Sequence, residues 1–142
     1  RMGMLASNTQ FVEWILKVKS NIDSGQFKPM QLAAIAALNN SEEWHQEMNN
    51  DLYRKRRLIA EKIMTKVGCT FDQKQVGLFL WGKIPTTYTN SGELADKLLY
   101  EAKVFITPGF IFGDKGNQYI RLSLCANEKM LQEAFNRIEQ IF

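Results

Sequence analysis

The segment Tyr119-Ile120-Arg121-Leu122-Ser123-Leu124 carries the side chain best suited to grip a ligand. Strand side chains alternate between faces, so Ile120, Leu122 and Leu124 turn one way and Tyr119, Arg121 and Ser123 the other. The first set is apolar and belongs on a core. Arg121 therefore leaves a rigid strand on the opposite face, where a planar guanidinium can hold a carboxylate through two parallel hydrogen bonds. The competing reading is a surface strand arginine paired with a nearby acid, and spacing by itself favours it. Just upstream lies the glycine-rich stretch Pro108-Gly109-Phe110-Ile111-Phe112-Gly113-Asp114-Lys115-Gly116. Its glycines permit tight turns and close approach of another group. It is not a phosphate loop, since it lacks the GK[ST] ending and no helix follows directly. The apolar residues Phe110 to Phe112 either plug a partner domain or fold back on their own core.

Other residue types offer less chemistry. His45 is the single histidine and has too few partners for a metal site, so no metal is expected. Cys69 and Cys125 form no CxxC pair and read as reduced, partly buried thiols of a cytoplasmic protein. The basic run Arg54-Lys55-Arg56-Arg57 reads as the solvated face of a helix. With a net charge of +3 it gives no wider basic footprint, and nucleic acid is not expected as a partner. No apolar run approaches the roughly 18–20 residues that span a bilayer, so no membrane partner is expected.

The elements that must position Arg121 follow from periodicity. A helix is expected from near Asn8, its cap, to Asp23, with Phe11, Trp14, Ile15, Val18 and Ile22 at helical spacing. Pro29 suits the first turn of a second helix ending at Leu38. The stretch Leu32 to Leu38 is apolar nearly all round, which calls for burial on more than one side and suggests an absent neighbour. A long third helix, capped by Ser41, is expected to run to Gly68 along the stripe Trp44, Met48, Leu52, Ile59, Ile63 and Val67. Then come a strand from Leu78 to Trp81, a helix capped by Ser91 with Leu94, Ala95, Leu98, Leu99 and Ala102 as its apolar positions, and a strand from Val104 to Thr107. A strand from Tyr119 to Leu124 follows. A last helix, capped by Asn127, should turn Leu131, Ala134, Phe135, Ile138 and Ile141 inward. The expected fold is α/β with an α+β character: a small mixed or antiparallel sheet covered by helices on one face.

Taken in order, these segments resemble the pyridoxal-phosphate-dependent aminotransferases of class I/II. The resemblance rests on Val104 to Gly109, on Phe112-Gly113-Asp114-Lys115-Gly116, and on Tyr119 to Ser123. These match a V-x-x-x-PG stretch, an FG-x-x-G loop and a Y-x-R-L-S strand. Gly77 to Trp81, Ser24 to Gln31 with the Ala-rich helix, and Tyr53 with Arg56-Arg57 match as well. Order and spacing agree along nearly the whole chain.

The resemblance implies the C-terminal segment of a fold type I enzyme that transfers an amino group between an amino acid and a 2-oxo acid. Residues 1–40 would be linker and interdomain helices, and 41–142 the small α/β domain. Arg121 aligns with the arginine that binds the substrate α-carboxylate, Phe79 with the substrate end of the site, and Gly113 with a glycine that keeps space beside the substrate. Arg1-Met2-Gly3 resembles the end of the S-K-x-x-x-x-x-G-x-R-x-G motif, making Arg1 the cofactor-phosphate arginine. The lysine that tethers pyridoxal 5'-phosphate would precede Arg1, so this chain holds no catalytic residue and is expected to be inactive alone. A large N-terminal domain and a homodimer are implied for the parent. A lyase or synthase on the same scaffold stays open, as do the effector domain of an aminotransferase-like transcription regulator and a stand-alone interaction module.

Overall fold

A computed structural model describes residues 2–142, apart from the side chains of Asn49 and Asn50. Backbone contacts divide the chain into two units, Arg1–His45 and Gln46–Phe142.

In the first unit, α1 (Thr9–Ile22) begins where the Asn8 side chain accepts the Gln10 N–H, as its cap position predicts. α2 (Lys28–Leu38) has proline in its first turn. Neither helix buries a residue: Trp14, Ile15, Val18, Leu32 and Ile35 all stand exposed. The apolar stripes are thus real but uncovered.

The expected third helix spans its predicted length but is not α-helical throughout. α3 (Glu42–Gln46) gives way to a π-helical turn over Glu47–Leu52, and only then does α4 (Tyr53–Lys66) run as a regular helix. Such a wide turn rotates the apolar stripe that a single 3.6-residue period would have kept in line. The buried residues of α4 are Ala60, Ile63 and Met64, with Val67 just beyond.

The second unit holds the core. A three-stranded antiparallel sheet runs in the order β1 (Phe79–Lys83), β3 (Tyr119–Ser123), β2 (Thr107–Pro108). Its inner-face residues Leu80, Ile120 and Leu122 are buried with Ile63 and Met64 of α4, Leu94 and Leu98 of α5 (Ser91–Ala102), and Leu131 and Ile138 of α6 (Glu128–Glu139). The helices therefore cover one sheet face, as the alternation in β3 requires.

Three local expectations are corrected. The strand predicted over Val104–Thr107 shrinks to Thr107–Pro108. Lys103 takes the left-handed conformation that ends α5, and the Val104 N–H returns to the Leu98 carbonyl at 3.1 Å instead of joining the sheet. The cap of α5 is Asn90, whose side chain accepts the Glu93 N–H at 3.0 Å, while Ser91 is the first helical residue and is fully buried. Leu99 lies 36% exposed rather than with Leu98 in the core.

The basic run is corrected too, because half of it is structural. Arg56 donates to the Leu124 carbonyl at 3.1 Å, tying α4 to the end of β3. Arg57 pairs with Glu61 at 2.8 Å and donates to the carbonyls of Gln73 and Gln75 in the loop before β1. Only Arg54 and Lys55 are the exposed residues expected of a solvated face.

Candidate active site

Arg121 sits in the middle of the central strand, opposite Trp81 of β1 and Thr107 of β2. Its neighbours Ile120 and Leu122 are anchored in the core, so the strand fixes where the guanidinium leaves the sheet. Leu80 and Leu122 face the helices; Phe79, Trp81 and Arg121 share the other face.

Two rings flank the guanidinium. Phe79 lies with its centroid 4.2 Å from the Arg121 Cζ, and Phe112 with its centroid at 4.1 Å. Phe112 arrives from the short 3₁₀ turn Gly109–Phe112 and also meets Trp81 edge-on, at 5.3 Å between ring centroids. Among the described residues, no carboxylate pairs with Arg121. The surface ion pair that spacing favoured is therefore not what the fold builds. Aromatic rings attract the cation through their π faces without using any of its N–H groups. That leaves its N–H donors to other partners, and a guanidinium can offer two of them in parallel to a planar carboxylate.

The preceding loop holds its shape for a reason the sequence did not reveal. A Cβ on Gly109 would collide with the Gly116 carbonyl and lie 2.6 Å from the Tyr119 carbonyl oxygen, and one on Gly116 would collide with the Gly109 carbonyl. These two glycines make room for each other's backbone, closing the loop that presents Phe112. Gly113 has φ +119°, outside the range of other residues, yet a Cβ there would meet nothing within 4 Å. Its glycine is required by backbone conformation, with open space above it.

A cavity of about 460 Å³ adjoins Arg121 on another side, between the segment 103–107 and α6. Phe105, Thr107, Arg121, Ser123, Met130 and Arg137 are among its lining residues. Phe79 and Phe112 do not line it. Arg1 lies outside the described residues. Among the described residues no cluster of His, Cys, Asp or Glu could hold a metal ion, and no helix is long and apolar enough to cross a membrane.

The arrangement matches known proteins over the same span. The family model for aminotransferase class I and II matches residues 1–138. The chain belongs to that family. It is 38% identical over 141 residues to an LL-diaminopimelate aminotransferase of Oleidesulfovibrio alaskensis, covering 99% of this chain and 36% of that one. It is 34% identical to the glutamate-pyruvate aminotransferase of Escherichia coli, covering all of this chain and 35% of the relative. A Methanococcus jannaschii protein, whose active site is described as similar to that of kynurenine aminotransferases, superposes on 95% of this chain and 36% of its own at a TM-score of 0.76 and 28% identity. The chain thus spans about a third of the length of the curated relatives it matches.

The family's enzymes depend on pyridoxal 5'-phosphate. The groups in contact with Arg121 are phenyl rings, which offer no amine to tether that cofactor and no donor for its phosphate. What this aminotransferase segment presents there is a cation that no acid of the described residues neutralises.

Proposed function

We propose that this segment is the carboxylate-binding part of a pyridoxal-phosphate-dependent enzyme that moves an amino group between an amino acid and a 2-oxo acid. The observation that carries the reading is the Arg121 guanidinium held between Phe79 and Phe112 with no acid of the described chain against it. Every substrate of such a reaction, amino acid or oxo acid, bears a carboxylate next to the reacting carbon. The two rings attract the cation without taking up its N–H groups, which stay free for two parallel hydrogen bonds. The substrate is thereby held by one end in one orientation, which selects the bond at the reacting carbon that is aligned for cleavage. The cofactor, when bound, supplies the ring that accepts the electron pair released there.

In this reading Phe79 and Phe112 shield the charged contact from water, strengthening it. Gly113 leaves its side of the loop open for substrate. Arg1 holds the cofactor phosphate, residues 1–40 bridge to the large domain, and residues 41–142 form the small domain. The large domain supplies the amine that tethers the cofactor, so the 142-residue chain by itself is inactive. A cytoplasmic homodimer is part of the same proposal, and its support is the family alone.

The test is Arg121→Ala in the full-length enzyme. It should lower kcat/KM by about 100-fold or more, the loss expected for a charged hydrogen-bonded pair. Arg121→Lys, which keeps the charge but not the two-pronged geometry, should recover only part of this. Ordinary kinetics in Arg121→Ala would remove the assignment. Amino-acid-dependent formation of a 2-oxo acid without ammonia release separates transfer from the lyase chemistry open to the same scaffold.

A further inference from the structure

β1 is an edge strand of the three-stranded sheet; on its outer side Lys83 bridges to Thr70, while Trp81 has no strand residue opposite it there. At Trp81 this edge is closed by a side chain. The Gln75 amide accepts the Trp81 N–H at 2.9 Å through its oxygen and donates to the Trp81 carbonyl at 2.8 Å through its nitrogen. One glutamine thus replaces a strand residue at the position where Trp81 faces Arg121 across the sheet. The Gln75 backbone is itself held, since its carbonyl accepts from Arg57, which also grips the Gln73 carbonyl at 2.9 Å and Glu61 at 2.8 Å. Fixed at its backbone, Trp81 sets its ring edge-on to Phe112, 5.3 Å between centroids at an interplanar angle of 70°. Phe112 in turn covers Arg121. Phe112 is 50% exposed on a short turn, so the contact with Trp81 is a restraint it needs to stay over the guanidinium.

We infer that Trp81, fixed by Gln75, is a positioning residue for substrate binding: it holds Phe112 against Arg121 and so keeps the guanidinium plane aimed at the incoming carboxylate. This rests on the reading of Arg121 given above. Neither residue touches the substrate in this scheme; both act through Phe112. An edge-to-face aromatic pair is favourable beyond its area burial, enough to bias a surface turn but not to decide the fold.

The experiment uses the ¹⁵N-labelled 142-residue chain. The Arg121 Nε–Hε signal is identified by its loss in Arg121→Lys. Two flanking rings shift this proton upfield of a solvent-exposed arginine. In Trp81→Leu the signal should move back toward the solvent position, while backbone amide signals of the core helices stay in place. Trp81→Phe, which keeps a ring, should restore most of the shift. Gln75→Leu should move it in the same direction to a smaller extent and speed exchange of the Trp81 N–H. In the full-length enzyme, Trp81→Leu should raise KM for the amino acid about tenfold with a smaller change in kcat, the pattern of a misaimed binding group. An unmoved Arg121 signal in folded Trp81→Leu overturns the inference. Should Trp81→Leu fail to fold, an unmoved signal in Gln75→Leu does the same. The two readings fail separately. A normal Arg121→Ala enzyme defeats the carboxylate assignment whatever the spectra show, whereas a crippled Arg121→Ala enzyme beside an unmoved signal defeats only the positioning role.

Discussion

The helices α1 and α6 carry comparable apolar stripes, yet their fates differ. In α6, Leu131 and Ile138 are buried within a core shared with α4, α5 and the sheet. In α1, Trp14, Ile15 and Val18 are 56, 48 and 61% exposed. Amphipathic spacing therefore states that a helix has a face to cover, and says nothing about whether this chain covers it. Burial of an aliphatic side chain contributes roughly 1.5–3 kcal/mol, so the second unit has a source of stability that the first lacks.

The sharpest way to break this contrast is to remove one side chain from each region. Ile63→Ala, in the core, should cost about 3 kcal/mol in urea unfolding, while Ile15→Ala on α1 should stay within about 0.5 kcal/mol. Equal costs would mean that α1 is covered in solution.

Next in size is the pair of basic residues on α4. Arg57→Ala frees two loop carbonyls and Glu61 and should cost about 2 kcal/mol, whereas Arg54→Ala should change almost nothing. The same denaturation curves check it.

The two thiols extend the comparison to pH. Burial pushes Cys69 up to about 12 from an ordinary 9.0, and Cys125 is exposed. The folded state keeps a proton that the unfolded chain releases, so this stabilising contribution is complete below pH 9 and is lost as pH rises toward 12. Stability should then fall more steeply for the native chain than for Cys69→Ala over that window. A thiol reagent at neutral pH should label Cys125 well before Cys69.

The smallest effect concerns association. The uncovered faces of α1 and α2 should make the 142-residue chain self-associate in sedimentation, and Leu32→Lys with Ile35→Lys should weaken this without altering the unfolding of the core. A monodisperse native chain would overturn the expectation.

Much of the site was legible because it depends on local rules. Alternation within Tyr119–Ser123 set Arg121 on the face away from the core, and the order of motifs gave the family. The environment of Arg121 was not legible. A surface ion pair seemed favoured, since nothing in the spacing says that rings 42 residues upstream and 9 residues upstream will close over it. The glycine loop showed the same limit: its residue types announced close approach of some group, but not that Gly109 and Gly116 would approach each other.

By itself, then, the sequence determined most element types, most caps, the inward face of β3 and the lineage, all of which follow from local pattern and the order of motifs. Tertiary structure alone decided that Val104–Ile106 would leave the sheet and that Arg56 and Arg57 would bind backbone carbonyls. It also decided that Arg121 would lie between Phe79 and Phe112. Each of these depends on which distant groups arrive at the same place, and a side chain's partner is fixed by that meeting rather than by its own period along the chain.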